Sequence, residues 1–209
     1  MGVRLFLMDE SRYCERTLEA YSVYADRAIA NWSRIRTPRF LKAFARALPE
    51  NARILDYGCG IGTELAWLAR RGFSVDAIDA APAFVREARK RAPDAHLRLA
   101  RFEDAVLPSQ SYDGIWCNAA LIHVPPAELR LQLGKLRSAL KPDGLLGLTL
   151  AWGRSRGFTI GDWIPGRYFA AYSKKEVEGF LSSWLLLSLH VANGDGRAGR
   201  WIQALCRKG

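Results

Sequence analysis

The glycine-rich segment at residues 53–63 constrains this chain more than any other feature. An apolar strand, RILDY at residues 53–57, runs into the turn GCGIG at residues 58–62, and a helical pattern follows. Glycine has no Cβ, so the turn can adopt positive φ angles and let a ligand lie against bare backbone. The amides at the start of the following helix then face that ligand. The segment therefore predicts a binding crevice at the carboxyl end of a strand in an α/β fold.

A carboxylate follows the next strand and narrows the kind of ligand. The apolar strand at residues 73–78 ends at Asp79, nineteen residues beyond Gly60. A carboxylate at this place in a parallel sheet can accept hydrogen bonds from both hydroxyls of a ribose. The alternative is that Asp79 caps the helix that begins near Pro82. With the glycine turn, Asp79 predicts a nucleoside site.

Two residues decide between kinds of nucleoside. A dinucleotide-binding fold requires G-x-G-x-x-G, and Thr63 stands where the third glycine would be. Asp56, two residues before the turn, would repel a diphosphate but suits a cationic sulfonium or ammonium group. Asp56 could bind such an ammonium through water, or it could cap the turn. The pair favours a ligand without pyrophosphate over a nicotinamide dinucleotide.

Three ordered segments resemble the class I S-adenosylmethionine-dependent methyltransferases. LDYGCGIG at 55–62 is similar to the family's first motif, SYDGIWCNAALIHV at 111–124 to its fourth strand and following loop, and LRSALKPDGLL at 136–146 to the next helix, turn and strand. The resemblance covers about residues 36–207. It implies a doubly wound, Rossmann-like α/β fold with a seven-stranded, mostly parallel sheet, an antiparallel C-terminal hairpin strand and helices on both faces. It also implies S-adenosylmethionine as cofactor and S-adenosylhomocysteine as product. We expect no metal, because the sequence shows no ligand cluster of convincing spacing.

The resemblance further implies a set of site residues. The turn would approach the amino-acid half of the cofactor by backbone, and an acceptor for the adenine amine would follow the third strand, although Arg101 stands where the family often has an acidic residue. The expected cofactor contacts are Tyr21, Asp56, Gly58, Cys59, Gly60, Asp79, Ala80, Phe102, Glu103 and Asn118.

Two residues are candidates for catalysis. His123 lies five positions beyond Asn118, above the expected cofactor, and histidine titrates near neutrality as a general base should. The alternative is a packed, hydrogen-bonded loop histidine. Tyr172 ends the segment RYFAAY, which resembles a stretch that lies over the active site in small family members.

Alternating strands and helices predict one domain over residues 1–209. We expect an N-terminal helical cover at 1–48, in two helical pieces split before Pro38, a cofactor-binding half at 49–151, and an acceptor-side insert with closing strands at 152–209. The aromatic side chains available to line an acceptor pocket are Tyr21, Trp32, Trp163, Tyr168, Phe169 and Tyr172.

The net charge of +10, from 31 Lys/Arg against 21 Asp/Glu, favours anionic partners, either small acids or nucleic acid. No dense basic block is present, so solvated surface is favoured over an RNA site.

The residues after the fourth strand, NAAL at 118–121, lack the proline-proline-aromatic motif that grips a nucleobase amine in some relatives. We therefore expect methylation of an O or N atom of a small molecule, and the net charge is compatible with an anionic one. A non-catalytic S-adenosylmethionine-binding module and an RNA methyltransferase are the alternatives.

Three features bear on compartment. No apolar run has the length of a membrane span, and residues 3–8 are too short for a signal-peptide core. The four cysteines include no C-x-x-C pair, which fits a reducing environment. These features predict a cytoplasmic protein without a membrane partner. Neither the acceptor's identity nor the oligomeric state follows from the sequence.

Overall fold

The structure, a computed structural model, describes residues 12–194 and 199–209. The sequence expectation for residues 3–8 lies outside this part of the chain. The helices are α1 (Tyr13–Val23), α2 (Ala25–Trp32), α3 (Arg39–Arg46), α4 (Thr63–Ala69), α5 (Pro82–Arg91), α6 (Pro126–Ala139) and α7 (Lys174–Phe180), with a 3-10 turn at Leu121–His123. The strands are β1 (Arg53–Tyr57), β2 (Ser74–Asp79), β3 (His96–Leu99), β4 (Tyr112–Asn118), β5 (Leu140–Trp152), β6 (Arg156–Phe158), β7 (Tyr168–Tyr172), β8 (Leu185–Asn193) and β9 (Arg200–Arg207).

The central sheet has the predicted doubly wound topology. Strands β3, β2, β1, β4 and β5 lie side by side and pair in parallel. Strand β9 pairs antiparallel with β5, and β8 pairs antiparallel with β9. The carboxyl ends of β1, β2 and β4 therefore share one edge of the sheet, which confirms the predicted fold class.

The strand count differs from the prediction of seven, because the described residues form nine strands. The two additional strands, β6 and β7, form an antiparallel hairpin inside the insert that follows β5. This hairpin joins the sheet only at the tip of β5, where Ala151 lies opposite Ala171 and Trp152 opposite Tyr172. The insert is therefore a folded extension of the sheet edge.

The N-terminal segment and one turn also differ from the prediction. Three helices replace the two expected pieces, because Tyr24 leaves the helical region with φ −106° and ψ 21° and separates α1 from α2. The turn expected within residues 136–146 is instead part of β5, which carries an irregularity there in its pairing with β4. Asp143 accommodates it with a φ of 59°.

Two cores sandwich the sheet, and a third cluster lies at its carboxyl edge. Helices α3, α4 and α5 pack on one face through residues such as Phe44 and Leu65, and α6 packs on the other through its leucine stripe. The third cluster joins Tyr21 and Ala28 of α1 and α2 to Phe84 of α5. The first two helices thus cover the edge where the glycine turn lies. Within the described ranges, no helix is long and apolar enough to cross a bilayer.

Candidate active site

The glycine turn is held in place by Asp79. The Gly60 amide donates to one oxygen of the Asp79 carboxylate at 2.8 Å, and the Ala81 amide donates to the other at 2.9 Å. Burial raises the pKa of Asp79 above its ordinary value, and the hydrogen bonds from these amides offset only part of that rise. Asp79 therefore ties the turn after β1 to Ala81, the N-cap residue of α5, but α5 has no side-chain cap. The ribose role stays a prediction.

The three glycines of the turn meet different needs. All have positive φ, at 84°, 53° and 79° for Gly58, Gly60 and Gly62. A Cβ on Gly58 would lie 2.3 Å from the Ala120 Cβ, and one on Gly62 would lie 2.7 Å from Ala88. A Cβ on Gly60 would meet only the Trp32 ring, at 3.9 Å. Gly62 serves helix packing and does not line the site, contrary to expectation, whereas Gly60 leaves room for a ligand.

A cavity of about 750 Å³ opens beside this turn, at the carboxyl edge of the sheet. This volume falls in the range usual for small-molecule and cofactor sites. Ten of the twelve side chains or backbone positions predicted from the sequence lie on its wall. They are Tyr21, Gly58, Cys59, Gly60, Asp79, Ala80, Phe102, Glu103, Asn118 and His123.

Asp56 and Tyr172 do not line the cavity. Asp56 is 1% exposed, its Oδ2 has no hydrogen-bond partner among the described residues, and burial followed by the Glu64 and Asp79 charges raises its pKa well above the ordinary value. Tyr172 is fully buried and donates its hydroxyl to the Val124 carbonyl at 3.2 Å. The catalytic role predicted for Tyr172 has no support in this placement, which is that of a packed core residue.

The floor of the cavity is acidic. Glu64, in the first turn of α4, accepts a hydrogen bond from the Asn118 amide at 2.7 Å. The Asn118 oxygen in turn accepts from Thr149 Oγ1 at 2.6 Å, which fixes its orientation at the end of β4. With Asp79, Glu64 makes this floor favourable for a cation. Sequence reasoning missed Glu64, although a carboxylate two residues after the glycine turn was a readable signal.

A second loop on the wall is fixed from α6. The Phe102 ring stacks on Tyr57 at 4.4 Å between centroids, and the Tyr57 hydroxyl donates to Gln132 at 2.8 Å. Lys135 donates to the backbone carbonyls of Phe102 and Glu103, at 2.5 and 3.2 Å. Gln132 and Lys135 were missed by sequence reasoning. The signal for Gln132 was a polar residue on the buried leucine stripe of α6.

His123 is held by two hydrogen bonds. Its Nδ1 lies 2.7 Å from the Tyr168 carbonyl oxygen, which can only accept, so Nδ1 carries the proton. Nε2 then accepts from the Tyr21 hydroxyl, 2.7 Å away. Burial first and the Arg167 charge second lower the pKa of His123 to about 3. This neutral, doubly bonded imidazole favours the packed-histidine interpretation over a general base that contacts the acceptor directly.

Arg167 completes this network from the insert. It is 5% exposed, donates to the Tyr21 hydroxyl at 3.2 Å and to the Ile164 carbonyl at 3.0 Å, and pairs with Asp162. Its guanidinium also lies 5.4 Å from the centre of the Trp163 ring. The network therefore joins the N-terminal helices, the loop after β4 and the insert around one phenol.

Aromatic rings cover the cavity. The Trp32 ring lies between Phe84 and Trp163, with centroid distances of 5.0 and 6.0 Å. Of the six aromatic residues expected to build a pocket, Tyr21, Trp32, Trp163 and Phe169 line the wall, whereas Tyr168 and Tyr172 do not. Over the described residues, no group of three His, Cys, Asp or Glu side chains is placed to hold a metal ion.

Comparisons with known proteins match this chain to methyltransferases. A family model described as a methyltransferase domain matches residues 54–144. The chain is 37% identical over 110 residues to a ubiquinone biosynthesis O-methyltransferase of Xanthomonas axonopodis pv. citri, which covers 50% of this chain and 45% of that protein. It is 35% identical over 105 residues to a trans-aconitate 2-methyltransferase of Variovorax paradoxus, covering 49% of this chain and 40% of that one. The matched region thus spans less than half the length of these relatives.

A solved structure extends the likeness in fold to nearly the whole chain. The 1,6-didemethyltoxoflavin-N1-methyltransferase of Burkholderia thailandensis, with 1,6-didemethyltoxoflavin and S-adenosylhomocysteine bound, superposes with a TM-score of 0.80 at 17% identity. The superposition covers 99% of this chain and 93% of that one. At this identity the likeness concerns the fold.

Proposed function

We propose that this chain is a class I S-adenosylmethionine-dependent methyltransferase that transfers a methyl group from that cofactor to an oxygen or nitrogen atom of a small organic acceptor. The residues on the cavity wall and the names of related proteins support this class of acceptor. The activity itself is tested by methyl release.

The observation that carries the proposal is the acidic floor around an open glycine. Gly60 offers bare backbone to a ligand, with Asp79 and Glu64 on the same wall. Carboxylates at this distance from the turn would repel a diphosphate, and they would attract the sulfonium and ammonium groups of S-adenosylmethionine. Phe102 and Glu103 line the same wall and supply a ring and a carboxylate for adenine.

The residues act by holding and enclosing the reactants. The sulfonium is already electrophilic, so the chemistry that the cofactor supplies is a methyl group ready for in-line displacement. Holding the acceptor atom in line with that methyl supplies several kcal/mol of barrier reduction without a strong base. In this proposal His123 orients the Tyr21 hydroxyl over the methionine end, and Trp32 excludes water above Gly60.

Three parts of the chain take separate roles in the proposed function. Among the described residues, 12–48 would cover the cofactor and 49–151 would bind it. Residues 152–194 and 199–209 would shape the acceptor side, because Trp163, Arg167 and Trp201 line the cavity. The relatives are named for ubiquinone biosynthesis, trans-aconitate and 1,6-didemethyltoxoflavin. These names support a small-molecule acceptor over RNA.

The experiment is release of labelled methyl. The purified chain is incubated with [methyl-³H]-S-adenosylmethionine and pooled phenols, carboxylic acids, amines and nitrogen heterocycles, with an RNA pool as a separate arm. We expect label in an organic product from at least one small-molecule pool, and loss of that product in Asp79→Asn. Asp94→Asn, a carboxylate on the loop after α5, is the matched control.

Two results contradict the proposal. Binding of S-adenosylhomocysteine with no transfer to any pool, including the small-molecule fraction of a cell extract, indicates a non-catalytic binding module. Label in the RNA arm alone reverses the choice of acceptor class.

A further inference from the structure

Apart from the Arg167–Asp162 ion pair of the insert, the charged groups of the cavity wall are segregated by sign. The carboxylates of Glu64, Asp79 and Glu103 lie along the sheet edge and its loops. The guanidiniums of Arg27 and Arg36 lie on the helical cover. The cavity therefore presents an anionic floor and a cationic rim. Ligands that complement both surfaces carry positive charge where they face the floor and negative charge where they face the rim.

Nearly every charge on this wall already has a partner. Arg167 pairs with Asp162, and Arg27 donates to the Trp163 carbonyl at 2.9 Å. Glu64 accepts from Asn118, and Asp79 accepts from two backbone amides. The Cys14 thiol is hydrogen-bonded to Glu103.

Arg36 is the exception. Within residues 12–194 and 199–209, this wall residue has no hydrogen bond, ion pair or ring contact. A guanidinium offers five donors in a planar fork that suits a carboxylate or a similar anion. The wall thus has an uncommitted anion-binding group at its rim.

Arg36 lies in the loop between α2 and α3, on the cavity wall. Its loop begins at Trp32, which lies above Gly60, and ends at Pro38, which lies beside Asn118 at the end of β4 and Trp201 of β9. Residues 27–46 contain six Lys/Arg and no Asp/Glu, so the local sequence offers no competing carboxylate. The positive potential at the rim is therefore not neutralised from within its own segment.

We propose that the methyl acceptor is an organic anion with an apolar body, and that Arg36 receives its negative group. This rests on the proposed function, because it assigns the acidic floor to the cofactor. Trp163, Phe169 and Trp201 line the wall and supply contact for the apolar body. The cofactor's own carboxylate is the other anion that could reach Arg36, so the test separates the two sources.

The test uses a matched pair of fluorescent probes. 1-Anilinonaphthalene-8-sulfonate is an aromatic anion, and N-phenyl-1-naphthylamine is the same ring system without the charge. Both are titrated into protein saturated with S-adenosylhomocysteine, in the wild type, Arg36→Gln, Arg36→Lys and Arg46→Gln. Arg46 is the control because it ends α3 and does not line the cavity. Affinity for S-adenosylhomocysteine is measured separately in each variant.

We expect Arg36→Gln to weaken the anionic probe about fivefold, which is the scale of one charge-assisted hydrogen bond at a partly exposed site. Binding of the neutral probe and of S-adenosylhomocysteine should change less than about twofold. Arg36→Lys should recover part of the loss, and added salt should shrink it. Arg46→Gln should resemble the wild type.

Three results overturn the inference. One is equal loss for both probes. Another is weaker binding of S-adenosylhomocysteine in Arg36→Gln with the anionic probe unchanged, which assigns Arg36 to the cofactor carboxylate. The third is failure of the anionic probe to bind the saturated wild type. Failure of the proposed function is distinguishable, because it shows either as no binding of S-adenosylhomocysteine to any variant or as binding without methyl transfer to any pool.

Discussion

The hydroxyl of Tyr21 lies 2.7 Å from Nε2 of His123, although 102 positions separate them in the sequence. This one contact joins α1 to the loop after β4, and Arg167 brings the insert to the same phenol. The three parts of the chain that enclose the cavity therefore meet at Tyr21. Because both partners are largely buried, the contact should contribute to stability as well as to the shape of the site.

Tyr21→Phe should destabilise the protein by about 1–3 kcal/mol, because it leaves the buried Nε2 of His123 without its donor. Urea unfolding measures the difference. Tyr24→Phe is the matched control, since Tyr24 lies one turn away and is not part of the cavity wall. Equal stability of the two variants would contradict the role assigned to the Tyr21–His123 bond.

His123 should make stability fall as the solution is acidified. Its pKa is lowered to about 3 in the folded chain, so between the ordinary value of 6.5 and about 3 the unfolded chain binds more protons. The stabilisation is therefore full above pH 6.5 and is lost as the pH falls. In His123→Asn the decline between pH 7 and pH 4 should be shallower than in the wild type. The control is His190→Asn, at an exposed position of β8; an unchanged slope in His123→Asn would refute the assignment.

Alanine substitutions should separate the two kinds of glycine in the turn. Gly60→Ala places its Cβ in open space below Trp32, so the fold should survive with a backbone cost of about 1–2 kcal/mol. S-adenosylhomocysteine should bind at least about tenfold more weakly, because the methyl group occupies the ligand's approach. Calorimetric titration and thermal unfolding give both quantities.

Gly58→Ala is the counterpart, with a Cβ only 2.3 Å from Ala120. Its overlap should add about 1–3 kcal/mol of destabilisation to the same backbone cost. If Gly60→Ala keeps wild-type affinity for S-adenosylhomocysteine, the open face of Gly60 is not the ligand site.

Asp56→Asn should stabilise the protein at neutral pH. Burial and the neighbouring Glu64 and Asp79 raise the pKa of Asp56, so the folded chain holds this proton above the pH at which the unfolded chain loses it. The stabilisation that the neutral Asp56 carboxyl contributes to the wild type is present at acidic pH and is lost as the pH rises. The melting temperature of Asp56→Asn should therefore exceed that of the wild type by more at pH 7 than at pH 4. A constant difference across that range would show that the Asp56 carboxyl does not titrate as described.

Much of the fold and of the cofactor side could be predicted because local chemistry determines them. The glycine turn requires positive φ, and Gly58, Gly60 and Gly62 all have it. The capping box at Ser173 and Glu176 is equally local, because its two hydrogen bonds join residues three apart. These features depend on neighbours in the sequence, which a pattern can reveal.

The rest depends on contacts between distant segments. Tyr172 was predicted as catalytic because its segment resembles a stretch that lies over the active site in small family members. In the structure β7 pairs with β5 at Trp152, and the Tyr172 side chain is buried in the core. The division of the N-terminal segment at Tyr24 follows from how α1 and α2 fit over α5, and no proline or glycine marks it. The partners of His123 lie 102 and 45 positions away, so no local pattern specifies them.

Isothermal titration of the wild-type chain with S-adenosylhomocysteine and with NAD, under the same conditions, tests the central claim most directly. The acidic floor beside Gly60 predicts one molar equivalent of S-adenosylhomocysteine bound and no measurable heat with NAD. Saturable binding of NAD, with none of S-adenosylhomocysteine, would contradict the account.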